Sequence, residues 1–137
     1  MASSSPTFLH GLIRKEARCL LQYLADATPW TASAQRGKLA DLLGMAHRER
    51  ELIDALIRHC LKSKLGSPVL GPYPHSFMDI NFVALDFLLP LLRAEQKKRI
   101  GELEWSLLTT PESARDLVRK LIQLKRDDLT LLDAMAA

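Results

Sequence analysis

The chain has 137 residues and a net charge of +3, and only 6% of its residues are aromatic. This length suffices for one domain with a continuous core but not for two ordinary domains. The small, dispersed charge argues against a nucleic-acid surface, and runs of alternating β-branched residues are missing, so an all-α fold is favoured over any sheet.

Leucine-rich segments with helical spacing predict four helices in one domain over residues 1–137. The expected bounds of these helices are approximately 7–26, 33–62, 78–107 and 111–135. Pro29 ends the first helix, and Trp30 is expected to cover the end of the bundle. Pro90 interrupts the third helix, where a proline removes one main-chain hydrogen bond and kinks the helix.

Residues 63–77 form a connection rich in proline and glycine between the second and third helices. Its first thirteen residues, 63–75, reach roughly 40 Å when extended, about the length of a helix of ~28 residues. The connection can therefore return along the bundle, which predicts an antiparallel four-helix bundle with one long crossover. Leu70, Tyr73 and Phe77 of this crossover would either form an exposed apolar ridge for a partner or pack on their own bundle.

Two carboxylates fall within apolar helical stripes. Glu16 lies between Ile13 and Leu20 in the first helix, and Glu49 completes the stripe of the second helix. A buried carboxylate is costly unless it is paired or hydrogen-bonded. The arginines that we consider as partners are Arg18, Arg48, Arg50 and Arg99.

With these two glutamates, the long crossover and the segment 72–82 leading into the third helix, the chain resembles the ferritin-like superfamily. The resemblance is to the small bacterial members that have one bundle and few recognised ligands. In iron-binding members, the first and third helices each supply a carboxylate. The second and fourth each supply a Glu followed three residues later by His.

The ligand set of that family is incomplete in this sequence. Glu16 and Glu49 match the first two helices, but Leu52 stands where a histidine would follow Glu49. The third helix offers Asp86, or Glu95 further along, and the fourth helix contains no histidine. The resemblance therefore implies a degenerate di-iron site, with Glu16, Glu49 and Asp86 as the candidate ligands if metal is bound.

The sequence gives little indication of a histidine metal site or of nucleophilic catalysis. His47 and His59 share a helix but lie twelve residues apart, whereas His10 and His75 lie in different segments. None of these histidines has a second one at the i, i+3 or i, i+4 spacing that places two ligands on one helical face. No strand–turn–helix elbow surrounds a nucleophile. We therefore expect no catalytic residues and no cofactor, with iron as the alternative.

Two functions are consistent with these sequence features. The first is a non-catalytic bundle with a structural or protein-interaction role, in which arginines neutralise the glutamates and the partner is a second copy or another protein. The second is a divergent carboxylate bundle that handles iron or oxidative stress, in which the carboxylates face an open, charged cavity.

The sequence also predicts the localisation of the protein. The N-terminus lacks signal-peptide features, and no apolar run is long enough to span a membrane. Cys19 and Cys60 fit buried thiols in a reducing compartment. We therefore expect a cytoplasmic protein without membrane or nucleic-acid partners.

Overall fold

The computed structural model describes residues 6–29, 31–80 and 83–136, and these segments are all-α with no strand. Their α-helices are α1 (Pro6–Ala17), α2 (Leu20–Asp26), α3 (Arg36–Lys62), α4 (Leu85–Ser106) and α5 (Glu112–Ala136). Short 3-10 helices at Ser33–Gln35 and His75–Ile80 precede α3 and α4. In these segments, no helix has both the length and the apolar composition to cross a bilayer. The expectation for Trp30, and the Phe82 end of the segment 72–82, lie outside the described residues.

The prediction of one continuous first helix over 7–26 is wrong, because the helix is interrupted at Arg18 and Cys19. Cys19 has an extended conformation, with φ −76° and ψ 167°. The amide of Leu20, at the start of α2, donates a hydrogen bond to Glu95 Oε1 at 2.6 Å. The first amides of a helix have no acceptor within it, so Glu95 supplies from α4 the acceptor that the interruption requires.

The predicted start of the third helix at residue 78 is also wrong, since α4 begins at Leu85. Residues 75–80 form a 3-10 helix instead, and Ala84 is extended just before α4. This later start makes Pro90 the sixth residue of α4. It lies beyond the four N-terminal amides that a helix leaves free, so its missing amide still removes one main-chain hydrogen bond. The second helix is likewise preceded by a 3-10 turn over 33–35 and becomes α-helical at Arg36.

The buried apolar side chains form two clusters. The first cluster includes Leu9, Ile13, Ile53, Leu56, Ile100, Leu103, Val118 and Leu121. The second includes Leu20, Leu24, Leu42, Met45, Leu85, Leu88, Leu92 and Leu132. Helices α3 and α4 therefore both run from the second cluster to the first, whereas α1–α2 and α5 run in the opposite direction.

The connection between α3 and α4 runs along α1 and α2. His10 Nε2 lies 3.1 Å from the carbonyl oxygen of Gly66, and Arg18 Nε donates to the carbonyl oxygen of Gly71 at 2.7 Å. Both glycines have positive φ angles, 84° and 69°, which a side chain would disfavour. The two turns that they allow keep the connection beside the first two helices.

The three apolar side chains of the crossover pack on their own bundle. Tyr73 and Phe77 place their rings 5.2 Å and 5.4 Å from the ring of Tyr23, and Leu70 packs against the first apolar cluster. The hydroxyl of Tyr73 donates a hydrogen bond to Asp26. Of the two alternatives left open by the sequence, the structure favours packing over an exposed ridge.

Candidate functional site

A layer of buried polar side chains separates the two apolar clusters. None of its members is more than 8% exposed. The layer comprises Glu16, Gln22, Glu49, Gln96, Arg99, Lys125 and Asp128. Burying so many polar groups is unfavourable unless each is paired, so their contacts decide what the layer can do.

Lys125 lies at the centre of this layer. Its Nζ is 2.9 Å from Glu16 Oε1 and 2.7 Å from Glu49 Oε1, and all three side chains have no exposed surface. Burial alone would lower the pKa of Lys125, but the two carboxylates raise it above its usual range. Lys125 therefore remains charged, and the two glutamates predicted from the sequence meet at its ammonium group.

Arg99 holds the second oxygen of Glu16. Its Nε donates to Glu16 Oε2 at 2.6 Å, and its Nη1 donates to Glu102. Burial opposes the charge of Arg99, but Glu16 raises its pKa above the usual value. The other three candidate arginines bind elsewhere: Arg18 at Gly71, Arg48 at Asp128, and Arg50 at Gln22 and Asp26.

Glu49 is surrounded by donors. Gln96 Nε2 donates to Glu49 Oε2 at 2.9 Å and to the main-chain oxygen of Lys125 at 3.1 Å. Burial would raise the pKa of Glu49, but the charge of Lys125 and hydrogen bonds from Asp128, Lys125 and Gln96 lower it. Glu49 is therefore the ionised member of its carboxyl pair with Asp128.

Asp128 is the neutral member of that pair. Burial and the hydrogen bond to Glu49 raise the pKa of Asp128 to about 7, against the opposing effect of Arg48, whose Nη2 lies 3.2 Å from Asp128 Oδ1. No donor in the described part of the chain reaches its buried Oδ2. The pKa values of the two carboxyl groups are thus displaced in opposite directions, that of Glu49 downward and that of Asp128 upward.

The third candidate ligand, Asp86, does not join Glu16 and Glu49. It is exposed in the first turn of α4, where its Oδ2 accepts a hydrogen bond from Gln35 at 3.2 Å. Within residues 6–29, 31–80 and 83–136, no three His, Cys, Asp or Glu side chains are grouped as metal ligands. Two carboxylates already neutralised by the ammonium of Lys125 are a donor set that does not fit a di-iron centre.

Sequence reasoning missed Lys125 and Asp128. Both occupy inward positions of α5, with Lys125 four residues after Leu121 and Asp128 four residues before Leu132. The apolar stripe of α5 therefore passes directly through two charged residues, as the stripes of α1 and α3 pass through Glu16 and Glu49. This shared pattern was the available signal.

A second feature is an open groove of about 800 Å³ between α1 and α4. Phe8, Leu12 and Leu103 line its apolar part, and Trp105 stands beside them with 77% of its surface exposed. Lysine side chains from both helices line the same groove. In contrast to the closed polar layer, this groove is accessible to another molecule.

The groove adjoins an exposed stripe along α4 and the turn that follows it. Its positions alternate in spacing between four and three residues, which is the heptad pattern of helices that pack against another helix. They are Phe87, Leu91, Ala94, Lys98, Gly101, Trp105 and Leu108, all of them exposed. Helix α4 thus presents apolar residues both to the core and to solvent.

Comparisons with protein-family models, curated proteins and solved structures found no match to this chain. The ferritin-like resemblance therefore remains a prediction from the sequence.

Proposed function

We propose that the protein is a non-catalytic, ferritin-like four-helix bundle that binds another protein chain through the exposed surface of α4. The single observation that carries this proposal is the exposed apolar stripe, hereafter the α4 stripe, which runs from Phe87 to Leu108. Four large apolar side chains in it are 72%, 47%, 77% and 70% exposed, namely Phe87, Leu91, Trp105 and Leu108. These side chains form one pair at each end of the α4 stripe, with Ala94, Lys98 and Gly101 between the pairs. Exposed apolar surface in a protein that is otherwise well packed marks an interaction site.

The course of the chain supports the ferritin-like part of the proposal. Helices α3 and α4 pass the two core clusters in the same direction, and the connection between them runs beside α1 and α2. A bundle of this kind has one long crossover. In this chain, α1 and α2 together occupy the place of its first helix.

The contacts of the polar layer support a structural role rather than catalysis. Glu16, Glu49 and Lys125 have no exposed surface, so a substrate has no access to them. Their charges are satisfied by one another and by Arg99 and Gln96. An iron-handling role would require the ammonium of Lys125 to leave the space between the two carboxylates.

A site-specific photo-crosslinker tests the protein-binding role in the cells that produce the protein. We expect a crosslinker at position 91, within the α4 stripe, to form covalent adducts with a protein chain. Lys120, which is exposed on α5, is the matched control position and should form none. Adducts with a second copy would identify a homo-oligomer, and equal absence of adducts at both positions would contradict the proposal.

A further inference from the structure

The groove between α1 and α4 combines an apolar lining with a basic rim. Lys15 of α1 and Lys97 and Lys98 of α4 line it, and these lysines form no ion pair within the described segments. The carboxylate on the rim, that of Glu102, is already bonded to Arg99. The groove therefore presents unneutralised positive charge beside exposed apolar surface.

Two helical glycines line the same groove. Gly11 lies within α1 and Gly101 within α4, and a Cβ built on either would meet no atom within 4 Å. Packing within the chain therefore gives no reason for glycine at these positions, although glycine lowers the stability of a helix interior. A missing side chain does allow a second backbone to approach closely.

From these observations we infer that the groove binds an acidic amphipathic helix of a partner protein, an inference that rests on the protein-binding function proposed above. The apolar face of such a helix would lie on Phe8, Leu12 and Trp105, with its backbone over the two glycines. Its flanking Asp or Glu residues would reach the three lysines. The heptad spacing of the α4 stripe matches the repeat that a packed helix requires.

Charge favours a different protein over a second copy in this groove. The same face of a second copy would bring its own Lys15, Lys97 and Lys98 against the first set. Like charges that face each other across an interface oppose association, whereas acidic side chains would complement the rim. The inferred occupant therefore carries carboxylates on both sides of its apolar stripe.

Two synthetic helical peptides of about five turns test this inference with the full-length protein. Both carry leucine at the heptad core positions, but one has glutamate and the other lysine at the flanking positions. The Trp30→Phe variant leaves Trp105 as the sole tryptophan, because the chain contains two. We expect the acidic peptide to bind at least about tenfold more tightly by fluorescence polarisation and to shift the Trp105 emission to shorter wavelength.

Substitutions in the groove identify the binding site. Gly101→Leu should weaken binding of the acidic peptide by about tenfold, because the new side chain fills the space above α4. Gly37→Leu is the matched control, since Gly37 is also helical with no atom within 4 Å of an added Cβ but lies on α3. The double variant Lys15→Glu/Lys98→Glu should reverse the preference and bind the basic peptide more tightly.

The outcomes separate the groove inference from the proposed function. Equal binding of both peptides would overturn the acidic partner while leaving protein binding intact. Binding of neither peptide, with adducts still formed at position 91, would overturn the groove as the docking site and retain the function. Binding of neither peptide, with no adducts, would overturn both. Lysine-dependent binding to phosphatidylserine vesicles in place of the acidic peptide would also overturn the inference, in favour of a lipid surface.

Discussion

Lys125 Nζ lies 2.7 Å from Glu49 Oε1 in a part of the core where neither side chain is exposed. Replacing Lys125 by methionine keeps the volume of the side chain but leaves two buried carboxylates without their shared cation. We expect Lys125→Met to lower the free energy of unfolding by about 3–5 kcal/mol, measured by urea denaturation. Lys120→Met, at an exposed site on the same helix, should change it by less than about 0.5 kcal/mol. Similar values for the two variants would contradict the role assigned to Lys125.

The raised pKa of Asp128 predicts a pH dependence of stability. The folded state holds a proton on Asp128 up to about pH 7, whereas the unfolded carboxyl has the ordinary value of 3.8. Between these values the folded state binds more protons, so the stabilisation that Asp128 contributes is fully present below pH 3.8 and is lost as the pH rises through about 7. Asp128→Asn keeps a hydrogen-bond donor toward Glu49 without the titration.

Thermal or urea unfolding of both proteins at about pH 5 and about pH 8 measures this effect. We expect the wild type to lose stability relative to Asp128→Asn by on the order of 2 kcal/mol between the two conditions. Parallel pH profiles would show that Asp128 does not retain the buried proton.

Glu95 provides a third prediction, at the interruption between α1 and α2. Glu95→Ala leaves the Leu20 amide without its acceptor and should destabilise the protein by about 1–3 kcal/mol. Burial raises the pKa of Glu95, so a neutral side chain of the same shape is well tolerated there. Glu95→Gln retains the carbonyl acceptor and should remain close to wild type in urea denaturation. An equally large loss in both variants would assign the stabilisation to the charge instead of the hydrogen bond.

Metal content is the fourth prediction. Protein purified without a metal-affinity tag and exposed to ferrous iron under anaerobic conditions should contain no stoichiometric iron by elemental analysis, because Lys125 already neutralises the two glutamates. Glu16→Ala should give the same metal content and should also lower stability by a few kcal/mol, since it leaves Arg99 without its buried partner. Stoichiometric iron in the wild type that is lost in Glu16→Ala would favour the iron-handling alternative.

The buried glutamates and one of their partners could be predicted from local sequence. Glu16 and Glu49 each stand in an apolar stripe, and Arg99 was among the four arginines considered for them. Lys125 was not, because a lone lysine in a leucine-rich helix is almost always exposed. Its burial depends on carboxylates that α1 and α3 bring from far along the chain.

The positions where the helices end also have both local and distant causes. The end of the second helix at Lys62 follows from the proline- and glycine-rich segment beyond it. The interruption at Cys19 has no proline or glycine, and its stabilising acceptor, Glu95, lies 75 residues away in sequence. Similarly, the outward apolar residues of α4 became evident only when the structure showed which leucines the core already used.

The polar layer also distinguishes one alignment of the helices from its neighbours. Leucines along α5 are nearly interchangeable, so apolar packing alone discriminates weakly against sliding this helix by one turn. Such a slide would set Leu121 or Leu129 opposite Glu16 and Glu49 and would bury their charges unpaired, at a cost of several kcal/mol. The buried ammonium group of Lys125 therefore fixes the register of α5. It favours one axial position of this helix over the neighbouring positions, which apolar packing alone would make nearly equal in energy.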